Sequence, residues 1–199
     1  MNFSNVHILI KRIEGMDVSA LTKKEVEQLN SISHNAKKKE FINVRQLRNN
    51  LFPFEEISYQ PSGKPLFEKR KEQLSISHSK HFVGLATSTS AIGLDIEEID
   101  ERVIKIVDRF LNLKEKQLFK YDKKEFTLAW TIKEALFKRN NRNGIIFKDE
   151  LLIEKRMDNR IYQCKILSDN GWEIIYVRSE QIENLIISFT FVPNGVNFI

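Results

Sequence analysis

Apolar positions come first as a short run and then at helical spacing. Val6-His7-Ile8-Leu9-Ile10, closed by Lys11-Arg12, reads as a first strand. From about Leu21 to Leu51, Val26, Leu29, Phe41, Val44, Leu47 and Leu51 recur every three or four residues, with a break near Ser31 to Asn35, which predicts two helices. Past Pro53 a loop, Tyr59-Gln60-Pro61-Ser62-Gly63-Lys64-Pro65, leads into three β-like runs at Gln73–Ser77, Phe82–Ser88 and Ala91–Glu97. The pattern then repeats. Helices are expected from about Val103 to Phe110, Lys114 to Tyr121 and Lys124 to Arg139, the last stopping near Asn143-Gly144 with a left-handed cap. Leu151–Glu154, Ile161–Leu167, Glu173–Val177 and Leu185–Phe191 read as strands, with hairpin turns at Asp158-Asn159 and Asp169-Asn170-Gly171.

Each half is therefore helices followed by an antiparallel sheet, an α+β protein dividing near Glu98 to Asp100 into residues 1–98 and 99–199. At 199 residues, 41% hydrophobic and 30% charged, the chain is long enough for either one core or two. One cysteine, Cys164, excludes an internal disulfide or a zinc cluster and fits a cytoplasmic setting. No run approaches the roughly 20 apolar residues of a membrane span, and the amino terminus lacks a signal-peptide pattern, so a soluble protein without membrane contact is expected. The net charge of +5 favours acidic partners without choosing among them.

In Ala91-Ile92-Gly93-Leu94-Asp95-Ile96-Glu97, strand alternation puts Ile92, Leu94 and Ile96 on one face and Gly93, Asp95 and Glu97 on the other. Two carboxylates pointing the same way repel unless a cation lies between them, so the pair is half of a hard-metal site; an exposed strand face explains it as simply. The helix holding Trp130-Thr131-Ile132-Lys133-Glu134-Ala135-Leu136-Phe137-Lys138 is sided. Leu128, Ile132, Ala135 and Leu136 lie opposite Glu134, which Trp130 and Lys138 flank by one turn. Glu134 and Lys138 fit an ordinary i,i+4 surface pair, but a helix carboxylate facing the strand pair would complete a three-oxygen Mg2+ site.

Ser77 and His78 are neighbours on a strand and point apart, and no G-x-S-x-G elbow surrounds them, so donors to phosphate oxygens, or a structural role, suit them better than a nucleophile. Gly63-Lys64-Pro65 lacks the rest of a phosphate-binding Walker loop, yet Lys64 can meet a phosphate from a rigid turn. Lys37-Lys38-Lys39 with Arg45 and Arg48 is a solvated helix face, a phosphate grip or an RNA contact.

Taken in order, Gly63-Lys64-Pro65, Ser77-His78-Ser79, Gly93-Leu94-Asp95-Ile96-Glu97 and Trp130-Thr131-Ile132-Lys133-Glu134-Ala135 ending at Lys138 resemble the signature set of the 4'-phosphopantetheinyl transferases, in the larger, surfactin-synthetase-activating type. The resemblance spans Gly63 to Lys138. It implies two similar halves related as a pseudo-dimer within a monomer, with the active site between them. Asp95, Glu97 and Glu134 would be Mg2+ ligands, Ser77 and His78 with Lys64 and Lys138 would hold the phosphates of coenzyme A, and Arg45 would help bind the 3'-phosphate, Arg48 and Lys37 being the alternatives. Arg109-Phe110 followed by Glu115 resembles a further family element whose glutamate lies near the reacting pyrophosphate. The implied reaction transfers phosphopantetheine from coenzyme A to a serine of an acidic acyl or peptidyl carrier protein, such as that of fatty-acid synthesis, releasing adenosine 3',5'-bisphosphate. Glu134 or Glu115 would be the base, with Lys138 and His78 stabilising developing charge. Two competing readings are a metal-dependent phosphoesterase or nuclease using the same carboxylates and a basic RNA-binding module; neither accounts for the Trp130 to Lys138 motif, and no nucleic-acid partner is expected.

Overall fold

The expected strand at the amino terminus forms as β1 (Val6–Arg12), and the computed structural model describes residues 6–140, 142 and 144–193. Thr22 opens α1 (Lys23–Ser31) with a capping box, its hydroxyl accepting from the Glu25 amide while the Glu25 carboxylate accepts from that of Thr22. After the break comes α2 (Asn35–Leu51), then β2 (Ile57–Tyr59), β3 (Pro65–Phe67), β4 (Gln73–His78) and β5 (Phe82–Ser88). These strands make an antiparallel sheet in the order β1-β5-β4-β3-β2. The apolar side of α2, through Val44 and Leu47, packs on it with Leu74, Val83 and Leu85.

The second sheet consists of β6 (Leu94–Glu98), β7 (Leu151–Arg156), β8 (Ile161–Ser168), β9 (Gly171–Ile182) and β10 (Leu185–Phe191), in the order β6-β10-β9-β8-β7. In both sheets the first strand pairs with the last and the others follow in reverse, with helices between the first strand and the remaining four. Because β6 hydrogen-bonds to β10, the chain changes sheet at residues 89–93, ahead of the division expected at residue 99. Between β6 and β7 lie a 3-10 helix (Glu101–Ile106), α3 (Val107–Phe110), α4 (Leu113–Lys116), α5 (Lys123–Asn140) and α6 (Phe147–Glu150). The helix expected from Lys114 to Tyr121 is thus a single turn. Gly144 has the left-handed backbone expected beyond α5, at φ 73°, whereas Asn143 lies outside the described residues.

The inward side of α5, including Leu128, Ile132 and Leu136, is buried over the second sheet. The face of β6 carrying Leu94 and Ile96, with Ile92 just before it, is buried with Phe189 and Phe191 of β10 and residues of β1 and β5, so the two sheets share a core. The free edge of β6 is closed by side chains of β4. Ser75 Oγ accepts from the Leu94 amide at 2.9 Å, Ser77 Oγ from the Ile96 amide at 3.2 Å, and Ser79 Oγ donates to Glu98 at 2.9 Å. Spaced by two, Ser75 and Ser77 share one face of β4, and Ser79 follows just past its end. Among the described residues no helix is long and apolar enough to cross a membrane.

Candidate active site

Gly93 brings β6 against α5. A methyl group there would sit 1.9 Å from the Ala135 carbonyl oxygen and 2.7 Å from the Arg139 amide, so only a glycine allows this approach. The side chains that follow on the same face, Asp95 and Glu97, meet α5 as strand alternation predicts. Trp130 Nε1 donates to Glu97 Oε1 at 3.2 Å, and its ring stacks on Phe147 and meets Phe110 edge-on. Lys138 Nζ lies 2.7 Å from Asp95 Oδ1 and 2.8 Å from Ser77 Oγ.

The carboxylates feel each other. Burial first, and then the charge of Asp95, push both Glu97 and Glu134 up to about 7; Lys138 offsets part of this for each. Asp95 is 3% exposed, and its Oδ2 is buried without a hydrogen-bond partner. An all-oxygen donor set with mutual repulsion and an unpartnered buried oxygen fits a hard divalent cation. Among the described residues no three acidic, histidine or cysteine side chains are already gathered closely enough to hold one.

Lys64 lines a cavity of about 170 Å³ with Ser62, Gly63, Ile76, Phe137 and Lys138, between the first sheet and the end of α5. Lys64, Lys138 and Arg142 line it together, which makes this wall electropositive; burial first, and then Arg139, lower the pKa of the Lys64 ammonium. His78 is exposed, with Nε2 3.3 Å from Lys37 Nζ and 3.6 Å from Glu40. The structure therefore joins Asp95, Lys138 and Ser77 by direct contacts, holds Glu97 and Glu134 within electrostatic reach of Asp95, and sets His78 and Lys64 around them.

Two expected residues fall elsewhere. Arg45 is 1% exposed; its Nε lies 3.2 Å from Glu25 and its guanidinium covers the Phe41 ring, because this side of α2 faces α1. Arg48 is buried likewise on Glu25, so of the basic residues weighed for the 3'-phosphate it is Lys37 that reaches the His78 side. Glu115, expected near the reacting pyrophosphate, is 2% exposed in the core. Its carboxylate accepts from the amides of Asn112 and Ile153 at 2.9 and 2.8 Å and pairs with Lys133 at 2.5 Å. Both oxygens are engaged, so Glu115 closes the edge of β7 and braces α5.

Lys133 itself, unassigned in sequence, also donates to the carbonyls of Phe147 and Leu151. The available signal was its place on the apolar stripe, four residues after Ala129 and three before Leu136. Glu115→Ala should destabilise the protein by about 3 to 5 kcal/mol, since it strands a buried ammonium. Urea unfolding would check this, and the double variant with Lys133→Met should recover most of the loss.

Residues 91–188 match the model of the 4'-phosphopantetheinyl transferase superfamily, a stretch running from the segment before β6 through α5 into β10. No curated protein matches the chain.

Proposed function

We propose that the chain transfers the 4'-phosphopantetheine arm of coenzyme A to a serine hydroxyl of a carrier protein, the activity the family match suggests. The observation carrying this reading is the contact of Asp95 and Glu97 on β6 with Lys138 and Trp130 on α5, which places Glu134 under the influence of both carboxylates beside the electropositive cavity at Lys64. Asp95, Glu97 and Glu134 would hold Mg2+, which when bound neutralises charge on the pyrophosphate of coenzyme A.

The chain's own side chains do the rest. Lys64 and Lys138, with His78 and Lys37, offer positive charge and donors to phosphate oxygens. Glu134, on α5 beside Lys138 and under the influence of Asp95, is the carboxylate to which we assign the proton of the attacking serine. The serine oxygen bonds to the phosphorus nearest pantetheine, the bond from that phosphorus to the bridging oxygen breaks, and adenosine 3',5'-bisphosphate departs with the electron pair next to Lys138 and His78. The matching strand order of the two sheets supports the larger, two-half type acting as a monomer. The net charge of +5 supports an acidic carrier, and the lone, buried Cys164 supports a reducing, cytoplasmic setting.

Incubation with coenzyme A, Mg2+ and an apo acyl carrier protein tests this. The carrier should gain the mass of one phosphopantetheine group on its serine. Hydrolysis of coenzyme A without any carrier would instead identify water as the acceptor and overturn the reading.

A further inference from the structure

Family resemblance assigns Ser77 to the phosphates of coenzyme A, but its surroundings point to a different task. A serine hydroxyl has one proton to donate and two lone pairs to accept with. Ser77, 1% exposed, uses all three: it donates to Asp95 Oδ1 at 2.8 Å and accepts from the Ile96 amide at 3.2 Å and from Lys138 Nζ at 2.8 Å. A phosphate oxygen accepts hydrogen bonds, so it would need the one proton that Asp95 already holds.

The effect on Asp95 is directional. Two donors, Ser77 and Lys138, converge on Oδ1, while Oδ2 of the same carboxylate is buried and has no partner. A buried carboxylate oxygen without a donor is costly and is kept only where something else accounts for it. Ser75, one strand period earlier on β4, supplies the contrast: it takes the Leu94 amide at 2.9 Å in the same way and, among the described residues, has no hydrogen bond to a carboxylate. Closing the β6 edge therefore accounts for the Ser77–Ile96 bond and leaves the Ser77–Asp95 bond unexplained.

We infer that Ser77 is a positioning residue acting through Asp95: its hydroxyl turns the carboxylate so that Oδ2 is the oxygen offered to the divalent cation, and it does not contact the phosphates. This rests on the proposed transferase reading, in which Asp95 is a metal ligand.

The test compares Ser77→Ala, Ser77→Thr and Ser75→Ala. Mg2+ and Mn2+ are titrated calorimetrically into each protein without coenzyme A, and kcat and KM for coenzyme A are measured with a carrier. For Ser77→Ala we expect cation affinity to fall about tenfold, the scale seen when a partner that orients a metal ligand is removed. Its kcat should fall while KM for coenzyme A stays within about twofold. Ser77→Thr, which keeps the hydroxyl, should restore cation affinity. Ser75→Ala loses a comparable strand-edge bond and should bind the cation like the parent, which separates orientation of Asp95 from simple loosening of β6. A raised KM for coenzyme A with unchanged cation affinity in Ser77→Ala would make Ser77 a phosphate contact and overturn the inference while leaving the transferase reading intact. Equal weakening in Ser75→Ala and Ser77→Ala would overturn it too. Absence of both cation binding and transfer in the parent would remove the transferase reading and this inference together.

Discussion

Glu134→Gln is expected to slow carrier modification by about a hundredfold to ten-thousandfold, the range associated with losing a positioned base, while the protein stays folded. The geometry makes the second half of this outcome as informative as the first. Glu134 lies under the influence of Asp95 and Glu97, and burial raises its pKa to about 7 from an ordinary 4.5. The folded protein therefore holds this proton more tightly than the unfolded chain does. The favourable contribution is complete below about 4.5 and is lost as pH rises through about 7, because the carboxylate must then ionise beside Asp95. Glutamine is uncharged throughout, so Glu134→Gln should match the parent in thermal unfolding at pH 5 and exceed it at pH 8. Mg2+ should narrow the difference at pH 8, since it stabilises the parent's ionised carboxylates more than the variant's. Full transfer activity in Glu134→Gln would remove Glu134 as the base.

Gly93→Ala should be among the most damaging single substitutions in the chain, costing at least about 3 kcal/mol in urea unfolding, the upper part of the range for overpacking. The new methyl would press on backbone atoms of α5, at 1.9 Å from the Ala135 oxygen, and a backbone has no rotamer with which to yield. Either α5 lifts from β6 or β6 leaves its place beside β10. Both routes part Trp130 from Glu97 and Lys138 from Asp95, so cation binding and transfer should fall with stability. Gly15→Ala, where an added methyl meets nothing within 4 Å, should stay within about 0.5 kcal/mol of the parent and serves as the control. A folded, active Gly93→Ala protein would show that the strand-to-helix contact does not hold the site together.

How much of this was legible beforehand depends on the kind of residue. The strands and the long helices were readable because their apolar residues repeat at the spacing of the element they form, as in β10 and α5. Alternation alone also put Asp95 and Glu97 on one face of β6, and helix periodicity set Glu134 opposite Ile132 and Leu136. The helix expected from Lys114 to Tyr121 forms only the turn Leu113–Lys116, and its Glu115 is held inward by partners distant in sequence, Lys133 and the Ile153 amide.

The sequence by itself determined which faces of β6 and α5 carry carboxylates, since a period of two or of 3.6 is a local property of the backbone. Only the tertiary structure decided what the other polar residues do. Glu115, Arg45 and Ser77 look like site residues in the chain, yet each is committed to a partner between 18 and 38 positions away: Lys133 and Ile153, Glu25, and Asp95. A buried charge or hydroxyl takes its role from whichever group arrives to satisfy it, and the local pattern of the chain does not encode that arrival.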